Sequence, residues 1–111
     1  MAGAVQVAEL DPVAVAARLQ SADPPLILDV REDWERAAAH LHGTLDIPMA
    51  QVPARLGELP RERDIVVMCH GGVRSLQVAH FLVHNGFTRI ANLRGGINAW
   101  AHEVDPGVGT Y

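Results

Sequence analysis

A chain of 111 residues, 49% of them hydrophobic and 20% charged, carries apolar material for one core and is read as a single domain over residues 1–111. Its formal net charge of −4 suits neither nucleic acid nor an anionic membrane, so no partner of either kind is expected. All nine basic residues are arginines, which excludes a Schiff-base or P-loop lysine, and the lone cysteine, Cys69, excludes an internal disulfide and a dithiol cycle.

The first ten residues have no basic segment ahead of an apolar run, and Glu9 interrupts them, so they do not read as a signal peptide. With no apolar run of membrane-spanning length and a free thiol, the expected compartment is the cytoplasm. Residues 5–10 form a candidate strand. Asp11 and Pro12 give an N-cap and a first-turn proline for a helix ending near Gln20. Residues 26–30 are almost wholly apolar, as in a strand covered on both faces. Residues 32–39 read as a helix with acids in its first turn, and residues 45–48 as an extended piece. Pro53, Gly57 and Pro60 limit residues 49–59 to a short helix or helical turn. Residues 65–68 form a second buried strand that runs into Cys69. Leu76, Ala79, Leu82 and Val83 recur at helical spacing in a helix over residues 75–85, and Asn85-Gly86 stops it. Residues 89–93 give a last strand, Gly95-Gly96 a turn, and residues 97–103 a final helix. Residues 105–111 are read as irregular.

Strands separated by helices imply an α/β fold with a mainly parallel sheet flanked by helices, and sites in such folds lie at the carboxyl ends of the strands. Cys69 falls there. The segment Cys69-His70-Gly71-Gly72-Val73-Arg74-Ser75 joins that strand to a helix. Gly71 and Gly72 permit a tight loop whose N–H groups can turn inward, and the helix N-terminus adds positive potential. Such a field should enrich the thiolate, the nucleophilic form. Arg74 is placed to offer a planar fork of donors to an oxyanion at the loop mouth. Ser75 is read either as a helix cap or as a hydroxyl donor to a bound sulfur. Four residues separate Cys69 from Arg74, whereas cysteine-based phosphatases have five, so this smaller loop suits a single sulfur atom better than a tetrahedral phosphate. The loop alone is equally compatible with an inert buried cysteine before an ordinary Gly-Gly turn.

Four motifs in order resemble the rhodanese homology domain over nearly the whole chain. They are Leu28-Asp29-Val30-Arg31 with Glu35, His40-Leu41-His42-Gly43-Thr44 with Ile47-Pro48, Cys69 to Ser75, and Leu93-Arg94-Gly95-Gly96-Ile97 with Ala99-Trp100. The tail from Val104 to Tyr111 is similar to rhodanese domains appended to E1-like activating proteins of sulfur-carrier pathways. The resemblance implies a three-layer fold with a five-stranded, mainly parallel sheet. It implies a sulfurtransferase in which Cys69, as catalytic residue, takes sulfane sulfur from thiosulfate or a persulfide and passes it to cyanide, a thiol or a carrier protein. His70, Gly71, Gly72, Val73, Arg74 and Ser75 would bind the substrate, with Asp29 and Arg31 in support. Neither a metal nor an organic cofactor is implied. A non-catalytic binding or sulfur-sensing module of the same fold is the alternative. Gly71 and Val73 stand where thiosulfate-active relatives carry basic residues or serine, which favours persulfide or protein-bound donors.

Outside the loop, Asp29 is read as accepting from Arg31 or orienting loop amides, with a structural hydrogen bond preferred, and Glu35 as pairing with Arg31. His80 and His84, one helical turn apart, and His40 and His42 offer only weak metal spacing. Trp34 and Trp100 are read as packing residues, Trp34 with a place at the substrate mouth as its other reading.

Overall fold

Helices and strands alternate along residues 7–111, the part of the chain that the computed structural model describes. The strands are β1 (Ala8–Leu10), β2 (Leu26–Asp29), β3 (Leu45–Asp46), β4 (Ile65–Met68) and β5 (Ile90–Leu93). The helices are α1 (Pro12–Leu19), α2 (Asp33–Ala38), α3 (Val73–His84) and α4 (Gly96–Glu103). The strands lie in the order β1-β5-β4-β2-β3, and every neighbouring pair is parallel. This is the α/β architecture expected from the alternation of elements. Residues 5 and 6 of the expected first strand lie outside the described residues.

The two faces of the sheet are built by the period-two alternation of its strands. Leu28, Ile65 and Val67 join Val78, Ala79 and Leu82 of α3 on one face. Ile27, Val66 and Met68 join Val15 of α1 and Ile97 and Trp100 of α4 on the other. β4 sits between β2 and β5 with all four residues buried, which is why its sequence is uniformly apolar.

The helical turn expected over residues 49–59 is present as a 3-10 helix, and two other segments differ from expectation. Residues Met49–Glu58 form a 3-10 helix with a non-helical kink at Arg55, because Pro53 withholds an N–H from any longer α-helical ladder. α3 begins at Val73, two residues before the expected start, with Gly72 as its N-cap. The tail is ordered: Pro106–Val108 make a 3-10 turn, and the His40 N–H donates to the Val108 carbonyl at 2.9 Å. Among the described residues no helix is long and apolar enough to cross a membrane.

Candidate active site

The sheet delivers Cys69 to its carboxyl edge. β4 ends at Met68, which lies beside Asp29 of β2, and the chain then turns through residues 70–72 into α3. Gly72 makes the turn at φ 102°, a left-handed conformation, and a Cβ there would stand 3.2 Å from the Gly95 nitrogen. Gly71 needs no such freedom: its φ is not positive, and a Cβ built on it meets no atom within 4 Å. Only one of the two loop glycines is therefore demanded by the backbone. Val73 projects outward, 71% exposed.

Cys69 itself is buried, and two donors converge on its sulfur. The Gly72 N–H lies 3.1 Å from Sγ and the Ser75 hydroxyl 3.3 Å. Ser75 sits in the first turn of α3, does not cap it, and directs its hydroxyl to the cysteine's own sulfur. The sulfur thus meets a main-chain N–H, a hydroxyl and the positive end of a helix.

The loop is also gripped from behind. Ile97 and Asn98 N–H groups at the start of α4 donate to the Cys69 and His70 carbonyls at 2.9 and 3.0 Å. Asn92 Nδ2 of β5 donates to the Gly72 carbonyl at 3.1 Å. Gly96 makes this approach possible, since a Cβ on it would lie 2.4 Å from both carbonyl oxygens. From the sequence, Gly95-Gly96 reads as a turn alone. Asn92, a polar residue in the middle of a strand, was the available signal of a further contact.

Asp29 and Arg31 form a fully buried ion pair at the base of the site, with Nη2 to Oδ2 at 2.8 Å. All five guanidinium N–H groups find acceptors: the Asp29 carboxylate, the Glu35 and Ala39 carbonyls and the Tyr111 hydroxyl. Burial opposes the charge on Arg31, but its bonds to Asp29 and Tyr111 prevail, and its pKa is raised. Asp29 also accepts the Arg31 main-chain N–H at 3.0 Å, the structural hydrogen bond expected of it.

Glu35 does not pair with Arg31 as expected; Arg31 reaches it only through its main-chain carbonyl. The Glu35 carboxylate engages the fork of Arg74 instead, with Nη1 and Nη2 at 2.7 and 2.8 Å from its two oxygens. α2 and α3 both start at the carboxyl edge of the sheet, which brings residues 39 apart in sequence face to face. Arg74 is the main cause that holds the Glu35 carboxyl at about 2 instead of 4.5; burial opposes it, the Glu32 N–H and the Tyr111 hydroxyl add to it, and the Arg74 pKa is raised in turn.

Tyr111, in the tail expected to be irregular, completes this group. Its hydroxyl accepts from Arg31 Nη1 at 3.1 Å and donates to Glu35 Oε2 at 2.7 Å. Burial is the main influence raising its pKa. Its ring lies 4.1 Å from that of His70 and meets Trp34 edge-on at 5.9 Å. Trp34 is 67% exposed, so it packs only at the surface against Tyr111; Trp100 is a core packing residue, at 5%. The sequence signals for Tyr111 are a single aromatic in a Gly/Pro-rich tail and the likeness of that tail to rhodanese domains appended to E1-like proteins. The His40 and His42 rings meet edge-on at 5.7 Å, and among the described residues no three metal-ligating side chains come together.

The family model described as "Rhodanese-like domain" matches residues 11–103, and the chain belongs to that family. It is 39% identical over 100 residues to a protein of Allochromatium vinosum named "Sulfurtransferase", covering 90% of this chain and 94% of that one. It is 31% identical over 102 residues to the "Putative sulfur carrier protein YrkF" of Bacillus subtilis, covering 92% of this chain and 55% of that protein. Among solved structures, a rhodanese-like domain protein from Staphylococcus aureus superposes with a TM-score of 0.82 at 31% identity, covering 88% of this chain and 95% of that one.

Proposed function

We propose that the protein transfers sulfane sulfur through a persulfide on Cys69. The observation that carries this reading is the pair of donors on a buried cysteine sulfur, Gly72 N–H and Ser75 Oγ, at the N-terminus of α3. In the first step the Cys69 thiolate attacks the outer sulfur of a donor, either thiosulfate or a thiol persulfide. One S–S bond forms and one breaks, and sulfite or the parent thiolate departs with the electron pair. In the second step an acceptor nucleophile takes the outer sulfur and Cys69 leaves as thiolate. Cyanide serves as acceptor in the test tube, and a thiol or a carrier protein in the cell. Gly72 and Ser75 hold whichever sulfur is anionic, and the α4 contacts keep the loop in shape between the steps. The names of the two protein relatives support a sulfur-handling role. The lone thiol fits a cycle in which the second sulfur always comes from outside.

The test is intact-mass measurement after incubation with thiosulfate or a persulfide, followed by cyanide and a thiocyanate assay. The expected result is a gain of one sulfur atom that cyanide removes and that Cys69→Ala never shows. Absence of the adduct with both donors refutes the proposal and leaves a binding or sensing module.

A further inference from the structure

The mouth of the Cys69 loop is electrically balanced, and the balance is built in. Arg74 lies in the first turn of α3, directly after the loop, and both outer nitrogens of its fork are engaged by Glu35. Arg31 lies behind, cancelled by Asp29. Glu35 is not free to swing away. Its carboxylate is only 4% exposed and also accepts from the Glu32 N–H at 3.1 Å and from the Tyr111 hydroxyl at 2.7 Å. Tyr111 is fixed in turn by Arg31. A continuous chain of hydrogen bonds therefore runs from Asp29 through Arg31, Tyr111 and Glu35 to Arg74. Arg74 can offer a visitor only the N–H groups that Glu35 leaves, and the visitor meets a cation and an anion together.

We infer that Glu35 selects the sulfur donor, holding Arg74 in a neutral pair so that Cys69 draws sulfur from thiol persulfides in preference to dianionic thiosulfate. This rests on the sulfur-transfer reading above. The attacking thiolate is itself an anion, so each added charge on the donor raises the cost of their approach unless a cation offsets it. Thiosulfate brings two negative charges and releases sulfite with two. A thiol persulfide brings one or none at its reacting end, and the thiolate it releases carries one. Acid cannot lift the restriction at working pH, because Glu35 keeps its charge down to a pH of about 2. Tyr111 acts through Glu35 as a positioning residue.

The experiment compares kcat and KM for thiosulfate and for cysteine persulfide, with cyanide as acceptor, in the wild-type protein and in Glu35→Gln. The wild type should favour the persulfide by about tenfold or more in kcat/KM. Glu35→Gln should shift the ratio toward thiosulfate by about tenfold, carried mainly by a lower KM for thiosulfate. A wild type that uses thiosulfate as well as the persulfide overturns the inference. So does a Gln variant in which both donors change equally, or in which thiosulfate loses ground; equal change is the mark of a merely structural Glu35. Should Glu35→Gln not fold, Gly71→Arg adds a cation where the backbone is unstrained and the space open, and leaves Glu35 in place. It must shift the ratio the same way, and no shift refutes the charge argument. If neither donor loads Cys69 in the wild type, the sulfur-transfer reading fails and takes this inference with it.

Discussion

Gly71 and Gly96 flank the same cysteine, yet a methyl group would meet very different surroundings at the two positions. At Gly71 it points into open space from an unstrained backbone. At Gly96 it would stand 2.4 Å from the Cys69 and His70 carbonyl oxygens, at a φ of 59° that disfavours any side chain. Gly71→Ala should change stability by less than about 0.5 kcal/mol. Gly96→Ala should cost about 2–3 kcal/mol and at least about a tenfold loss in Cys69 loading, because loop and helix must part to make room. Urea midpoints and loading rates measured on both variants check this, and similar values for the two would show that the loop can yield at α4 after all. The sequence showed two Gly-Gly pairs and could not rank them. Which glycine is required depends on what approaches it, and Gly96 is pressed by residues more than twenty positions away.

At the level of elements, the strands and most helices were legible because hydrophobic periodicity reports burial directly. The uniformly apolar residues of β4 and the helical spacing of Leu76, Ala79 and Leu82 needed no knowledge of the rest of the chain. The relation between α2 and α3 was not legible. Glu35 had Arg31 four residues away, a spacing that favours contact along one helix, but Arg31 lies outside α2 and points into the base of the site. The Glu35–Arg74 pair that results ties the two helix starts together and carries a pH signature. Glu35 titrates at about 2 in the folded protein against 4.5 ordinarily. A depressed carboxyl contributes stability in full above its unfolded value and loses it as pH falls through its folded value. The loss should therefore run from about pH 4.5 down to about 2 and amount to about 2 kcal/mol, after allowance for the partly exposed Arg74. Urea unfolding of wild type and Glu35→Gln across this range should show their stability gap narrowing as acid is added. A gap constant with pH would mean that Glu35 contributes through packing alone.

Across the whole molecule, the motifs that marked the site lie on the sheet edge, while the group that finishes its mouth is assembled from distant chain segments. Arg31 and Tyr111 are 80 residues apart, and Glu35 and Tyr111 are 76 apart. No local pattern announces contacts of that range, which is why Tyr111 reads from the sequence as part of an irregular tail. Its two roles separate by substitution. Tyr111→Phe keeps the ring against His70 and removes the bonds to Arg31 and Glu35, at a cost of about 1–2 kcal/mol. Tyr111→Ala removes both and should cost more, with Trp34 fluorescence shifting to that of a fully hydrated indole in the Ala variant alone. Thermal melts with fluorescence detection distinguish these outcomes, and two variants that behave like wild type would mean the docked tail adds nothing. The position of Tyr111 along the chain also imposes an order on assembly. Residues up to 103 suffice for the sheet, the Cys69 loop and the α4 grip on that loop. The clamp on Glu35 needs Tyr111 as well. A chain folded only as far as α4 thus holds its cysteine in place before the wall beside it is built, and the Glu35–Arg74 pair then lacks one of its restraints.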